Sequence, residues 1–398
     1  MTKGFTRDGA TILSYGAIGA YAFWLYAFGP ALALLRTDLH FSYAMLGVYS
    51  ALWSGGAAVV GLSFTSASSR FGLRQLLWWA MLGATCGAAV LIAARSVAGT
   101  MAATALLGFA GTMVLTASQS VLSDVHGDRR DRAFVEANIG AAVCAVVAPL
   151  ALGLFQGSLS GWRGAMVLPA IAFAVLYLGY RRVPLPGQAS TGGRPGRERL
   201  PAACWLLALL VAAGIAVEFC VVYFGAELLV DSDGLATPAA ATAMAVFYAG
   251  ILAGRAGGAG LTSRAGLAAR LVWLSLALTA AGFGAFWLSH TPVLALTGLF
   301  VTGLGVANLY PLSLALALQA APGQTDAANA LTQLLGGVIV VIAPFALGSL
   351  ASHAGLSAAF AVEPVLIISS GLLLAVGTRL AGTTRPAAGP PSGRSDIW

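Results

Sequence analysis

Two glutamates stand inside long apolar stretches of the sequence, where an ionisable side chain is costly. Glu218 lies between Val217 and Phe219, and Glu363 precedes Pro364. A charged group at the centre of a bilayer costs about 2.5–3.5 kcal/mol on insertion scales, so such residues are candidates for ion pathways or substrate sites. Because burial favours the neutral form of a carboxyl group, a change of exposure could release its proton. Glu218 is therefore the first candidate for proton coupling and Glu363 the second. A structural hydrogen bond to a backbone carbonyl is the alternative for each.

Neutral polar and aromatic side chains in the same stretches could line a binding cavity. Trp24 and Tyr26 lie too deep in the first stretch to belong to the interfacial belt where Trp and Tyr concentrate. Helix packing is the alternative interpretation for both. The full set of substrate-binding candidates is Trp24, Tyr26, Gln119, Asn138, Asn308, Tyr310 and Gln333.

The sequence lacks the usual signatures of an enzyme or a metal centre. There is no G-x-S-x-G, no phosphate-binding G-x-x-x-x-G-K-[ST] loop and no H-E-x-x-H. The four cysteines have no C-x-x-C spacing, which favours small buried hydrophobic side chains over metal ligands or disulfides. We therefore expect neither catalysis nor a cofactor, and without a nucleotide-binding loop this chain cannot use ATP hydrolysis.

The composition is that of an all-α membrane protein. Of the 398 residues, 59% are hydrophobic and only 9% are charged, against roughly 25% charged in soluble domains, and the mean hydropathy is +0.86. A helix needs about 20 apolar residues to cross a bilayer. The apolar stretches predict twelve transmembrane helices, at 12–35, 43–67, 75–94, 97–122, 133–156, 163–182, 201–229, 237–259, 269–288, 292–318, 327–350 and 357–380.

The distribution of basic residues predicts the orientation. If the N terminus is cytoplasmic, seventeen Lys and Arg residues fall on the cytoplasmic side, and only Arg36, Arg95 and Arg163 fall outside. Both termini are therefore predicted to be cytoplasmic in a cell inner membrane. The same asymmetry explains the net charge of +7 without nucleic acid binding. The first stretch is too long for the core of a signal peptide.

A duplication divides the chain into two halves. Ala148-Pro149-Leu-Ala-Leu-Gly153 recurs as Ala343-Pro344-Phe-Ala-Leu-Gly348, an offset of 195 residues. Residues 183–200 are rich in Pro, Gly and Arg, which predicts a flexible linker whose arginines attract anionic headgroups. The predicted domains are 1–182 and 201–380, two six-helix bundles, followed by a tail at 381–398. Further landmarks at offsets of 194 or 195 are Asn138 with Gln333, Ser69-Arg70-Phe-Gly72 with Ser263-Arg264-Ala-Gly266, and Gly108 with Gly303.

This organisation resembles the Major Facilitator Superfamily over essentially the whole chain. That family's second loop usually reads G-x-x-x-D-R-x-G-R-R, and here Arg70, Gly72 and Arg74 match while Ser69 replaces the acid. Gly303-Leu-Gly305-Val-Ala-Asn308-Leu-Tyr310-Pro311 is similar to the fucose-permease-like bacterial branches, as is Gly250-Ile-Leu-Ala-Gly254-Arg255. The resemblance implies gating roles for Arg70, Arg74, Arg255, Arg264, Pro149 and Pro344.

The resemblance also implies a secondary transporter that works by alternating access. We expect a monomer that moves a small organic molecule, with protons and membrane lipids as its other partners. The mostly apolar site favours export of an amphipathic or cationic compound by a proton antiporter. A proton-coupled importer of a sugar or organic acid is one alternative. A membrane sensor or assembly subunit that transports nothing is the alternative from another class.

Overall fold

The computed structural model describes residues 6–185, 200–258 and 267–383, apart from the side chains of Asp128, Asp131, Asp326 and Thr383. Within these ranges the chain is helical and has no strand. The 3-10 helices Gly127–Arg129 and Gly161–Val167 precede α4 and α5. The α-helices are α1 Gly9–Leu39, α2 Tyr43–Ala93, α3 Val97–His126, α4 Arg130–Phe155, α5 Leu168–Tyr180, α6 Ala202–Asp233, α7 Thr237–Gly258, α8 Ala268–Trp287, α9 Pro292–Val306, α10 Leu309–Gln319, α11 Thr325–Ala354, α12 Leu356–Ala359 and α13 Val362–Thr383.

The longest helix, α2, consists of two spans that meet at a bend. Its 51 residues would form about 76 Å of straight helix, more than twice the hydrocarbon thickness of a bilayer. Gly72 interrupts it with φ 77° and ψ 152°, a conformation that a residue without Cβ adopts at little cost. With 43–71 and 73–93 counted separately, the eleven long apolar helical stretches of the described chain give twelve spans. The prediction of twelve transmembrane helices is confirmed.

Side-chain caps set the starts of the first three helices. Oxygens of Asp8, Ser42 and Ser96 each accept a hydrogen bond from the backbone N–H three residues later, at 2.9, 3.3 and 3.2 Å. These bonds satisfy N–H groups that have no partner within the helix. Helix α1 extends beyond both ends of its predicted segment. Its start is set by the Asp8 cap rather than by a change of hydropathy, so it begins before the apolar stretch does.

The sequence duplication is also seen in the structure, as equivalent glycine contacts between helices in the two bundles. Helices α2 and α3 touch at Gly56 and Gly108, and α7 and α9 touch at Gly250 and Gly303. The equivalent glycines are 194 and 195 residues apart in sequence. A methyl group on any of the four would collide with backbone atoms of the facing helix. Small residues permit such close approach of membrane helices, and the two crossings confirm that the six-helix bundles are pseudo-symmetric.

The contacts between the bundles repeat in the same way. Gly153 of α4 packs against Thr242 of α7, and Gly348 of α11 packs against Gly47 and the Tyr43 carbonyl of α2. Residues 153 and 348, like 47 and 242, are 195 apart. We call residues 6–185 the N-terminal half and 200–383 the C-terminal half. The end of the helices where α1 begins is the terminal end, and the end where α1 finishes is the distal end.

Hydrogen bonds and an ion pair join the two halves at the distal end. The Arg36 guanidinium binds the Glu227 carboxylate at 2.9 Å, and the Ala44 backbone N–H donates to Ser352 Oγ at 2.7 Å. Nearer the middle of the helices, Gly29 of α1 lies directly against the Val222 carbonyl of α6. The distal portions of the two halves are therefore in direct contact.

Candidate functional site

Glu218 occupies the middle of α6 and is accessible from the space between the helices. It lies about 24 Å along the helix axis from Ala202 and about 22 Å from Asp233. Its neighbours Val217 and Cys220 are 1% and 0% exposed, whereas Glu218 is partly exposed. No hydrogen bond or ion pair within the described part of the chain occupies its carboxyl group. The carboxyl group is thus available to a proton or to a ligand.

Residues from both halves surround this carboxyl group. Tyr26 of α1 and Tyr248 of α7 make an edge-to-face ring contact with centroids 5.1 Å apart, and both lie within electrostatic range of Glu218. Arg255 of α7 faces the Tyr26 hydroxyl and is also within electrostatic range of Glu218. The structure therefore brings Glu218 and Arg255 of the C-terminal half together with Tyr26, which lies 192 residues before Glu218 in the sequence.

Aromatic side chains close the distal side of this region. Phe28 stacks on Trp53 at 4.4 Å between centroids and meets Tyr223 edge-on at 6.1 Å. Two polar groups here, the Trp53 indole N–H and the Tyr223 hydroxyl, are buried without a hydrogen bond of normal geometry, although Tyr21 lies next to the first and Ser54 next to the second. Buried polar groups are normally hydrogen-bonded, so small shifts of these helices would complete both bonds.

Trp24 belongs to the packed interior of the N-terminal half. It is 0% exposed, its indole N–H donates to the Met166 carbonyl at 2.9 Å, and its ring meets Phe173 edge-on at 5.3 Å. The geometry gives Trp24 the packing role that was the alternative in the sequence interpretation. Tyr26, two residues later, faces the other half.

Three predicted polar residues form a separate layer nearer the terminal end. Gln119, Asn138 and Gln333 are all exposed and lie about 10–12 Å from the terminal ends of α3, α4 and α11. Asn138 Nδ2 donates to the Phe134 carbonyl at 2.8 Å, and Gln333 lies next to the Tyr310 hydroxyl. Glu218 is about twice as far from that end. The predicted substrate-binding residues therefore lie at two different depths along the helices, one near the terminal end and one at the level of Glu218.

Asn308 marks a break in the predicted tenth segment. The segment 292–318 is divided into α9 and α10 around Ala307 and Asn308. Pro311, in the first turn of α10, lacks the N–H that would continue the hydrogen bonding of α9. Asn308 Nδ2 instead donates to the Gly254 carbonyl at 2.8 Å. This bond fixes the part of α7 that carries Arg255.

Glu363 lies in the first turn of α13, away from the Glu218 carboxyl group. It is 0% exposed, and neither carboxyl oxygen has a hydrogen-bond partner of normal geometry. Its neighbour is the thiol of Cys220, two positions after Glu218 on α6. Positions two apart lie on nearly opposite sides of a helix, so α6 separates the two predicted proton-coupling residues.

The sequence analysis does not predict the ion pair between Arg36 and Glu227. The Glu227 side chain, near the distal end of α6, is 3% exposed and binds Arg36 of the other half. The Arg36 guanidinium also lies 4.1 Å above the Tyr43 ring. The sequence does contain a partial indication of this pair. Arg36 is one of three basic residues predicted on the outer side of the membrane, and Glu227 lies at a similar depth. No local pattern, however, links residues 191 positions apart.

The predicted gating residues have different surroundings. Arg70 is exposed, and Arg74 donates to the Arg181 carbonyl within its own half. Pro149 and Pro344 lie inside α4 and α11 as the sequence indicates, and both helices contact the opposite half. Arg264 lies outside the described residues.

Twelve membrane spans in two pseudo-symmetric bundles, with an accessible carboxyl group between them, are the architecture of a membrane transporter. The chain belongs to the Major Facilitator Superfamily, whose family model matches residues 13–344. No curated protein sequence matches it.

Several solved structures share this fold at low sequence identity. A bacterial homologue of the human lysosomal transporter Spinster, in an inward-facing and unoccupied conformation, superposes with a TM-score of 0.72 at 13% identity, covering 95% of this chain and 97% of that one. The nucleoside transporter NupG gives 0.68 at 16%, covering 95% and 99%. The peptide transporter POT in complex with sulfate gives 0.74 at 16%, covering 96% of each chain. These likenesses establish the fold and leave the transported substrate open.

Proposed function

We propose that the protein is a proton-coupled secondary transporter in which Glu218 carries the coupled proton. The observation that supports this most strongly is the position of that carboxyl group. It is unpaired and accessible at mid-depth, and it faces Tyr26 of the N-terminal half as well as Arg255 of its own half. Because Tyr26 moves relative to Glu218 when the halves rock, the surroundings of the carboxyl group change with the conformation. A group whose surroundings change in this way can take up a proton in one state and release it in the other.

The contacts between the halves support an alternating-access cycle. The halves meet at the distal end, and the basic residues predict that the terminal end faces the cytoplasm of a cell with the protein in its inner membrane. We infer that this conformation is open to the cytoplasm. In the proposed cycle, residues 1–182 and 201–380 rock as two units of a monomer. Opening the distal end must then break the Arg36–Glu227 ion pair.

The chemistry of the site favours an amphipathic or cationic substrate, and hence export by antiport with protons. The partly exposed ring of Tyr26 lies near the Glu218 carboxyl group. Aromatic faces and a carboxylate both attract an organic cation. Proton binding to Glu218 would compete with such a cation, which is the requirement for antiport.

Arg255 supports a second candidate, a proton-coupled importer of an organic acid. Its guanidinium is partly exposed and forms no ion pair with an acid of the described chain. A guanidinium group binds carboxylates through directed hydrogen bonds. Protonated Glu218 would leave Arg255 as the dominant charge, which would favour an anion.

The experiment that tests both proposals uses proteoliposomes with an imposed pH gradient. Cationic amphiphiles and organic acids are screened for movement coupled to protons, in the wild type and in the Glu218→Gln, Glu363→Gln and Arg255→Gln variants. Glu218→Gln should abolish proton-driven accumulation but retain exchange of substrate for substrate, because the amide keeps the shape without the titration. Glu363→Gln should impair coupling less.

The outcomes separate the possibilities clearly. Undiminished proton coupling in Glu218→Gln would refute its proposed role. Loss of acid transport alone in Arg255→Gln would identify the importer, whereas unchanged cation transport in that variant would support the exporter. The absence of any substrate-dependent flux in the wild type would favour the sensor alternative.

A further inference from the structure

Four arginines cluster at the terminal end of the N-terminal half, where the bend of α2 meets the end of α5. Arg74 follows the bend and donates to the Arg181 carbonyl, which links α2 to α5. Arg182 is the next residue, and Arg70 precedes the bend. All four side chains are exposed. We call Arg70, Arg74, Arg181 and Arg182 the arginine patch.

The helices that form the patch provide no negative charge of their own. Residues 39–123 and 137–197 contain neither Asp nor Glu, so α2 and α5 have no acidic residue. Within the described part of the chain, the four ion pairs include no arginine of the patch. Two acids at this end have other partners: Glu136 binds Arg7 and Arg132, and Asp8 accepts from Thr11. The positive charge of the patch is therefore available to an external anion.

Aromatic rings continue the patch toward the bilayer. The Arg70 guanidinium lies 5.3 Å from the centroid of the Phe71 ring, and Phe71 meets Trp79 edge-on at 5.1 Å. On the α5 side, Trp78 meets Tyr177 at 5.2 Å. Trp79 and Tyr177 are 54% and 47% exposed. Exposed Trp and Tyr side chains concentrate at the headgroup level of a membrane.

Deeper along both helices, further apolar side chains are exposed. Leu82 of α2 is 61% exposed and Val175 of α5 is 62% exposed. From the terminal end inward, the surface is thus basic, then aromatic, then apolar. This order matches the phosphate, glycerol and acyl regions of a phospholipid.

We infer that this surface binds an anionic phospholipid, with the phosphate group at the arginine patch and an acyl chain along α2 and α5. Juxtamembrane Lys and Arg residues are attracted to anionic membrane surfaces, and arginine also forms directed hydrogen bonds with phosphate. The apolar wall distinguishes a lipid from a free phosphate ion, which would gain nothing from it. The inference does not depend on the substrate or on Glu218.

Native mass spectrometry of the full chain titrated with dioleoyl phosphatidylglycerol tests the inference. The Arg70→Gln/Arg182→Gln variant keeps Arg74, which links α2 to α5. Its matched control, Arg129→Gln/Arg130→Gln, removes the same charge from exposed positions at the terminal end between α3 and α4. We expect at least a fivefold loss of phosphatidylglycerol affinity in the first variant and little change in the control. Thermal unfolding of both variants checks that they are folded.

Two comparisons complete the test. Dioleoyl phosphatidylcholine, which has no net charge, should bind the wild type more weakly, and glycerol phosphate should not displace phosphatidylglycerol at equal concentration. Equal phosphatidylglycerol affinity in both variants and the wild type would overturn the inference. Equal losses in both variants would also overturn it, because they would indicate a general effect of net charge. Displacement by glycerol phosphate would show a free-phosphate site instead.

Discussion

Arg36 and Glu227 form an ion pair across the interface between the two halves, with 2.9 Å between Nη1 and Oε2. Arg36 is three residues from the distal end of α1, and Glu227 is buried in α6. Arg36 Nε and Glu227 Oε1 are buried without further partners. The pair therefore depends on the two halves remaining in contact, and its loss should affect the conformational equilibrium.

Glu227→Gln should shift the protein toward a conformation that is open at the distal end. Removing one partner of a largely buried pair costs about 2–3 kcal/mol, which corresponds to roughly a 30-fold to 150-fold change in the population ratio. Electron–electron resonance between spin labels at residues 95 and 290, in a background without native cysteines, measures the distal separation. The matched control is Asp38→Asn, which removes the Arg163 ion pair within one half. A similar shift in the control would contradict the prediction.

Gly29→Ala should prevent full closure of the distal end. The added methyl group would collide with the Val222 carbonyl, a backbone atom that cannot rotate away. Overpacking of this kind typically costs about 1–3 kcal/mol, and here the halves can avoid it by separating. The same spin-label distance should increase. Gly61→Ala is the control, because nothing lies within 4 Å of that position, and an unchanged distance in Gly29→Ala would refute the prediction.

Gly303→Ala and Gly108→Ala should destabilise the two bundles by similar amounts. Both added methyl groups meet a backbone carbonyl of the facing helix, Phe247 in one bundle and Trp53 in the other. We expect about 1–3 kcal/mol for each, seen as a lower midpoint of thermal unfolding in detergent. Gly337→Ala, in an open position of α11, should not lower the midpoint. A large loss for only one of the pair would show that the crossings are not energetically equivalent.

Asn308→Ala should alter the position of Arg255 without changing that residue itself. The variant loses the hydrogen bond to the Gly254 carbonyl, worth about 1 kcal/mol, and frees the segment that carries Arg255. If Arg255 contacts the substrate, the KM for transport should rise several-fold while the maximal rate changes less. Ser370→Ala, which loses only a bond within its own helix α13, is the control. Equal KM values in the two variants would argue against a positioning role for Asn308.

The sequence by itself determined the features that depend on neighbouring residues. In a bilayer, an apolar stretch of about 20 residues can satisfy its backbone hydrogen bonds only as a helix. The number and approximate limits of the membrane spans could therefore be predicted. Ser42 begins α2 as a local capping signal predicts. The Arg132–Glu136 pair follows from a spacing of four residues. The repeat at 195 residues likewise revealed the two bundles.

Only the tertiary structure decided which side chains meet across the bundles. Hydropathy does not distinguish Trp24, which packs against Met166, from Tyr26, which faces the other half. Nor does it reveal that Glu218 is accessible while Glu363 is sealed behind α6, since both are single acids in apolar stretches. The direction of a side chain depends on the rotation of its helix against its neighbours. That rotation is set by close backbone contacts such as Gly29 with Val222, which join residues almost 200 positions apart and leave no local pattern.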